Sequence, residues 1–266
     1  MKIESLLVPT YNRIRHCDEC IFVVVRSREV LEMGRINPGE YEHIVFFTGA
    51  GMSAESGVPT YRGRDGIWNQ YRWEEYACQN AFDADPEKVL KFHELRRGAV
   101  LTSTPHPGHE TIAALEKKYH EITVVTQNID GMHQRAGSMQ VIELHGSLWR
   151  VRCPRHGISE DMNSTYSRYR CDKCGEWLRP DIIRFGDSLN QRVTDEATAV
   201  IGRCDLFVSI GTSGVVYPAA GFPRIAQENN ARCIEINPEA NEISFLYDET
   251  IREKAGTALP ELFGEE

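Results

Sequence analysis

The stretch "TGAGMSAESGVPTYRG", Thr48–Gly63, follows directly on the apolar run "HIVFF". Gly49, Gly51 and Gly57 alternate with small side chains, so the strand runs into a turn where something approaches the main chain closely. Gly49, Gly51 and Ala54 fit a loose G-x-G-x-x-A pattern. In such a turn, bare backbone N–H groups and a following helix N-terminus can receive a phosphate. Small-residue strand–helix turns are also common without any ligand, and these six residues alone leave both readings open.

The surrounding chain repeats the same grammar. "HIVFFTG", "EITVVTQ", "QVIELHG", "DLFVSIGTS" and "ARCIEIN" are β-branched or aromatic runs, each closing on a Gly, Asn or Ser turn or a polar residue, and each predicts a buried strand. Helical patterns lie between them, over His109 to Tyr119, Thr194 to Gly202 and Pro218 to Asn229. Alternating strands and helices predict an α/β fold, with a Rossmann-like parallel sheet covered by helices on both faces. Ligands of such sheets sit at the carboxyl ends of the strands, and that is where the unusual motifs of this chain fall.

Two segments break the alternation and predict a smaller inserted module. Arg62–Gly98 is polar and aromatic and ends in a helix that Asp85 can cap, Pro86 can open and Gly98 can stop. Arg150–Pro180 carries clustered Cys and His. The expected division is 43–61, 99–149 and 181–266 for the nucleotide-binding domain, and 62–98 with 150–180 for the small zinc-binding and helical domain. Residues 1–42 form an arm without an assigned role; within it "CIFVVVRS" reads as a strand and "RINPGEYE" as a turn.

Thirty Lys and Arg against thirty-nine Asp and Glu give a net charge of −9, which argues against a general nucleic-acid binder. The sequence shows no apolar run of membrane-spanning length and no secretory leader pattern, so a cytoplasmic monomer with reduced cysteines is expected. A standard dinucleotide fold wants an acidic residue about twenty positions after the glycines, at a strand end. Glu74 and Glu75 lie near that distance, but "RWEEYACQN" is no strand end, so an ordinary dehydrogenase is not expected.

The pattern instead continues into "ESGVPTYRG", and at this length "GAGMSAESGVPTYRG" resembles the signature of the sirtuins, the NAD-dependent protein deacylases. "TQNIDGMHQRAG", "ELHGS", "LRPDIIRFGD" and "GTSGVVYPAA" agree with the same family in order, and the likeness runs from about His43 to Leu262. The resemblance is to the bacterial and archaeal deacetylase–desuccinylase branch. It implies an enzyme that takes the acyl group from protein lysine, passes it to ADP-ribose and releases nicotinamide. Protein ADP-ribosyl transfer is the alternative that the same cofactor chemistry admits, and the histidine of "ELHGS" favours deacylation.

The resemblance implies roles by position. His145 is the general base and Asn128 positions the nicotinamide ribose or a water. Gly49, Ala50, Gly51, Ser53, Glu55, Arg62, Trp68, Gln127, Ile129, Asp130, Gly211, Thr212, Ser213, Asn237 and Ala255 contact NAD, the co-substrate. Ile182, Ile183, Phe185 and Gly186 receive the acyl-lysine and its peptide by strand addition. The family carries an apolar or aromatic residue where this chain has Arg184, and Glu where it has Asp187.

Family members use two CxxC pairs for zinc; this chain has "CPRH" and "CDKC". A Cys3His set is an established zinc type, so Cys153, His156, Cys171 and Cys174 are expected to hold one structural Zn2+. "HCDEC", with Cys17 and Cys20, has no matching half and is read as an exposed pair. In "PEKVLKFHELRRG", His93 and Arg96 share a helix face. One sirtuin branch has Tyr-x-x-Arg there and removes acidic acyl groups, so some succinyl activity is expected. The alternative is that Arg96 and Arg97 only close the helix and favour its dipole.

Overall fold

The structure, a computed structural model, describes residues 26–28, 34–63 and 66–264. A seven-stranded sheet is built from β1 (Arg26–Arg28), β2 (Ile44–Thr48), β3 (Ile122–Thr126), β4 (Val141–Glu143), β8 (Leu206–Ile210), β9 (Arg232–Ile236) and β10 (Glu249–Ile251). Its order is β1-β10-β9-β8-β2-β3-β4, and every pairing is parallel. The chain steps one way from β2 to β3 and β4, then returns to β2's other side for β8 to β10. That reversal opens a crevice at the carboxyl ends of β2 and β8.

Strand alternation divides the core. Ile44, Phe46, Val124, Val208 and Ile234 face helices Pro107–Lys118 and Ala255–Phe263. Val45, Phe47, Val125, Phe207 and Cys233 face helices Gln191–Ile201 and Phe222–Glu228. Both faces of β2 are thus buried, as its unbroken apolar run requires.

At β4 the chain leaves this sheet for a second one. β5 (Gly146–Cys153) pairs antiparallel with β6 (Gly157–Glu160) and β7 (Arg179–Ile182). Only Leu144 and His145 separate the two sheets. This hairpin packs on helices Gln79–Ala84 and Pro86–Thr102 through Phe82, Leu90, Val151 and Leu178. The two expected excursions therefore meet in one apolar cluster.

Several boundaries differ from the sequence reading. Gly98 does not stop its helix, which continues to Thr102. Asp85 caps and Pro86 opens it as expected, but Arg97 and Val100 are buried on either side of Gly98. Their packing outweighs the cost of about 1 kcal/mol for a mid-helix glycine. The alternative reading of Arg96 and Arg97 as helix closers fails for the same reason. The helix expected from Thr194 begins at Gln191, because the Asn190 side chain caps the Arg192 and Val193 N–H groups. Pro218–Asn229 opens with a 3-10 turn at Ala219–Gly221 before the α-helix. "RINPGEYE" forms a 3-10 turn over Pro38–Glu40. Of the strand expected over Cys20–Ser27, only Arg26 and Ser27 fall among the described residues, in β1; the rest, with Cys17 and Cys20, lies outside them. No helix among the described residues is long and apolar enough to cross a membrane.

Candidate active site

The crevice holds a cavity of about 1230 Å3 lined by residues following β2, β3, β4, β7, β8 and β9. That exceeds the few hundred to about 1,000 Å3 of an ordinary small-molecule site and leaves room for two reactants. Nearly all expected cofactor residues line it, from Gly49 and Arg62 to Gly211, Asn237 and Ala255. His145, Asn128, His93, Arg96, Ile182, Ile183, Phe185 and Gly186 line it as well.

The opening glycines admit a second piece of main chain. A Cβ on Gly49 would stand 2.8 Å from the Gly211 carbonyl oxygen, and one on Gly51 would stand 2.7 Å from the Gly211 Cα. The Gly49 N–H donates to Ile210 at 2.9 Å and the Gly51 N–H to Gly211 at 2.9 Å. These two N–H groups are therefore committed to protein, contrary to the expectation that they meet a phosphate. What the glycines do is seat the turn after β2 against the turn after β8. The Ala50 N–H, first in its 3-10 helix, has no acceptor within that helix by its position.

Asn128 is fixed from three sides. Its N–H donates to Thr126 Oγ1 at 3.0 Å, and its side-chain amide donates to the Gly49 carbonyl at 2.9 Å and to Ser53 Oγ at 3.2 Å. The amide nitrogen must face the Gly49 carbonyl, which leaves the amide oxygen as the group offered to the cavity. Ser53 and Asp130 do not line the cavity; both are buried behind its wall. Asp130 caps the Met132 N–H at 2.9 Å, and its carbonyl accepts from the Trp149 indole at 2.6 Å. Burial, its largest influence, raises the Asp130 pKa.

His145 stands between the two sheets. Its Nδ1 lies 2.9 Å from the Gln127 carbonyl oxygen, which can only accept, so Nδ1 carries the proton and Nε2 is left as the basic nitrogen. Burial lowers the His145 pKa against the smaller opposing effect of that bond. Gly146, at φ 78°, is required where the chain turns: a Cβ there would clash with the Asp181 carbonyl.

Just after β9, Asn237 donates to the Thr212 carbonyl at 2.9 Å. Glu55 accepts from the Gly256 N–H at 2.8 Å, beside Ala255. Sequence reading missed Asn241, which lines the cavity, donates to the same Thr212 carbonyl at 3.0 Å and reaches buried Glu235 at 2.8 Å. The acidic residue at the end of β9 was the available signal; Arg252 and Ser244 hold that carboxylate at 2.7 Å each.

His93 is buried with neither ring nitrogen bonded to protein. Burial, then Arg96, Arg184 and Arg97, hold its pKa down to about 3, so it is a neutral imidazole. Arg96 donates to the Tyr61 hydroxyl at 2.8 Å and lies over that ring at 4.5 Å. Arg184 is buried, bonds Gln79 and lies 3.6 Å from Asp187, so the two departures from the family pattern partner one another.

Cys153, His156, Cys171 and Cys174 place their ligand atoms within 4.8 Å of one another. His156 Nδ1 lies 3.5 Å from Cys153 Sγ and 3.4 Å from Cys171 Sγ, and Cys153 and Cys174 Sγ lie 3.6 Å apart. Zinc bonds of about 2.3 Å to sulfur and 2.0–2.1 Å to nitrogen, at tetrahedral angles, separate ligands by about 3.6–3.8 Å. The donor set fits that ion. Bonds from backbone, the Lys173 N–H foremost, hold the Cys171 thiol down to about 6, towards the thiolate that metals bind.

A family model described as the Sir2 family matches residues 49–218. NAD-dependent protein deacylase 2 of Pyrobaculum aerophilum is 46% identical over 225 residues, covering 84% of this chain and 90% of that protein. The NAD-dependent protein deacylase of Aquifex aeolicus is 42% identical, covering 83% and 94%. A solved Sir2 homologue–NAD complex aligns with a TM-score of 0.78 at 42% identity, covering 84% of this chain and 89% of that one. A Sir2 structure with a deacetylated peptide and 3'-O-acetyl ADP-ribose aligns at 0.76 and 31% identity, covering 86% and 96%. On this likeness, spread across both sheets and the cavity between them, the chain belongs to the Sir2 family, the sirtuins.

Proposed function

We propose that this chain is an NAD-dependent protein lysine deacylase that transfers the acyl group to ADP-ribose and releases nicotinamide. The observation that carries the reading is the tautomer of His145: with Nδ1–H held by Gln127, its basic Nε2 is free on the wall that also presents Asn128 and the strand Ile182–Gly186. A lowered pKa keeps that imidazole unprotonated at neutral pH, as a general base requires. NAD, when bound, supplies a nicotinamide–ribose bond whose cleavage opens the ribose carbon to the acyl oxygen.

The protein's share is placement and proton removal. The seated turns at Gly49–Gly51 and Gly211–Ser213 shape the pyrophosphate path, with Asn237 and Ala255 at the adenosine end. Ile182 and Ile183 flank the lysine stem, and Phe185 and Gly186 offer main chain to the peptide. Ser53 and Asp130 act from behind the wall by holding Asn128 and the turn after it. Cys153, His156, Cys171 and Cys174 would hold a structural zinc, which would stabilise the small module and take no part in the reaction.

The acyl end of the cavity favours a terminal carboxylate. Arg96 offers a guanidinium, and neutral His93 keeps an N–H with no protein acceptor. Succinyl-lysine is therefore a substrate alongside acetyl-lysine. The deciding experiment incubates the protein with NAD and matched acyl peptides and identifies products by mass spectrometry, beside His145→Ala. Free lysine, nicotinamide and 2'-O-acyl-ADP-ribose support the reading. ADP-ribose attached to protein, without acyl-ADP-ribose, replaces it with ADP-ribosyl transfer.

A further inference from the structure

Behind the cavity floor lies a buried run of polar side chains that the proposed chemistry leaves unused. Thr48 and Thr126 face each other at the ends of β2 and β3, with Thr48 Oγ1 donating to Thr126 Oγ1 at 2.8 Å. Thr126 Oγ1 also accepts the Asn128 N–H at 3.0 Å. On the other side, His133 Nε2 lies 3.0 Å from Thr48 Oγ1. Beyond it, the His133 and His109 rings are 5.0 Å apart, and His109 and His106 4.2 Å apart.

The bonds determine every tautomer. The single Thr48 hydroxyl hydrogen goes to Thr126, so His133 Nε2 must donate, and its Nδ1 is a bare acceptor. His109 Nδ1 accepts the His106 N–H at 3.4 Å, so His109 carries its proton on Nε2. His106 Nδ1 accepts the Gly108 N–H at 3.0 Å, so its Nε2–H donates to the Met52 carbonyl at 2.6 Å. Of these ring nitrogens, two buried ones have no protein partner, His109 Nε2 and His133 Nδ1. One is a donor, the other an acceptor, and they belong to adjacent rings. Burial keeps both rings neutral, with pKa values of about 2 and about 3.

We propose that one water joins His109 Nε2 to His133 Nδ1 and completes a one-way hydrogen-bond chain, His106 to His109 to water to His133 to Thr48 to Thr126, that sets the main chain of Asn128. Buried waters occupy such polar gaps between unmatched donors and acceptors. His133 and His109 are then positioning residues. They touch neither reactant, and they act on the reaction through the placement of Asn128. The consequence for turnover rests on the deacylase reading; the hydrogen-bond chain itself does not.

The test has two arms. Side-chain 15N NMR of the wild-type protein is expected to show Nε2–H tautomers for His109 and His133 that do not titrate between about pH 5 and 8. A proton on His133 Nδ1, or titration in that range, overturns the chain. A high-resolution crystal structure is expected to show density between the two orphan nitrogens, and a dry gap removes the water. In the second arm, His133→Leu is expected to lower kcat for nicotinamide release about tenfold or more with KM for NAD changed less than about threefold. His133→Gln, whose amide can still donate to Thr48, is expected to recover most of it. Wild-type kcat in His133→Leu overturns the positioning role, and where that variant does not fold His109→Gln takes its place with the same criterion. Wild-type protein that releases no nicotinamide sinks the deacylase reading and leaves the tautomer result standing.

Discussion

The Ile183 N–H donates to the His145 carbonyl at 2.9 Å, so the proposed general base and the proposed substrate strand share one hydrogen bond. Arg150 reinforces the tie, reaching Glu143 before His145 at 2.6 Å and Asp181 before Ile183 at 3.0 Å. Ile183→Pro removes the N–H. A lost hydrogen bond of about 0.5–1.5 kcal/mol predicts a fall in kcat/KM for acyl peptides of up to about tenfold. Ile183→Val should be near wild type, and ADP-ribose affinity should stay within about twofold in both. Unchanged kcat/KM in Ile183→Pro would mean the tie has no catalytic consequence.

The pH profile follows from His145. As the proposed general base it would act in its neutral form, and burial places its pKa below the ordinary histidine range. Peptide kcat/KM is expected to rise with pH through a midpoint under about 6.5 and to be flat at neutral pH. A midpoint above that value would contradict the assignment of burial as the dominant influence.

Acid stability has the same sign for a different set of groups. His93, His109 and His133 are neutral when folded, with pKa values of about 3, about 2 and about 3. Unfolded histidine takes a proton near pH 6.5, so acid favours the unfolded chain and stability is lost as pH falls below that value. Each contributes a slope of up to about 1.4 kcal/mol per pH unit. Urea midpoints from pH 7 to 5 should drop steeply, and His93→Phe should flatten the slope by about one proton. An unchanged slope would show that His93 is protonated in the fold.

Much of this was readable in the chain because strand, turn and motif are local. The carboxyl ends of β2, β3 and β8 could be located from apolar runs ending in Gly49, Asn128 and Gly211. The Cys153, His156, Cys171 and Cys174 cluster could be located because "CPRH" and "CDKC" each offer two donors at metal-ligand spacing, whereas "HCDEC" had no matching half. What the sequence could not reveal is which distant main chain a residue meets. Gly49 and Gly51 are explained by Gly211, about 160 positions away in the chain. The antiparallel pairing of β5 with β6 and β7 left no strong periodicity, since β6 is exposed throughout. Gly98 misled for the converse reason: its local signal to stop was overridden by buried neighbours.

The metal reading predicts about one equivalent of zinc in purified protein, and less than about half an equivalent would refute it. Cys171→Ser should lose the metal and loosen the cluster in which Cys153, Cys171, Leu90 and Val151 pack together. Faster proteolysis within residues 150–180, with the large sheet intact, is the expected signature.

Arg97 is the strongest case of a residue whose purpose only the fold displays. It lies 64 positions from Asp161, yet its Nη2 donates to the Asp161 carboxylate at 2.8 Å and to the carbonyl of the same residue. Side-chain exposure is 0% and 4% for the two partners. Tyr166 lies 4.2 Å from the guanidinium on one side and Trp149 5.5 Å on another, so the cation is enclosed by rings. This pair binds the long helix to the chain leaving β6, and Trp149 extends the contact to the Asp130 carbonyl. Removing one member leaves a buried, uncompensated charge. Arg97→Met and Asp161→Leu should each destabilise the protein by about 3–5 kcal/mol in urea unfolding. The double variant buries no charge and should lose clearly less than the sum, which a double-mutant cycle measures directly. Strict additivity would show that the two side chains do not depend on one another.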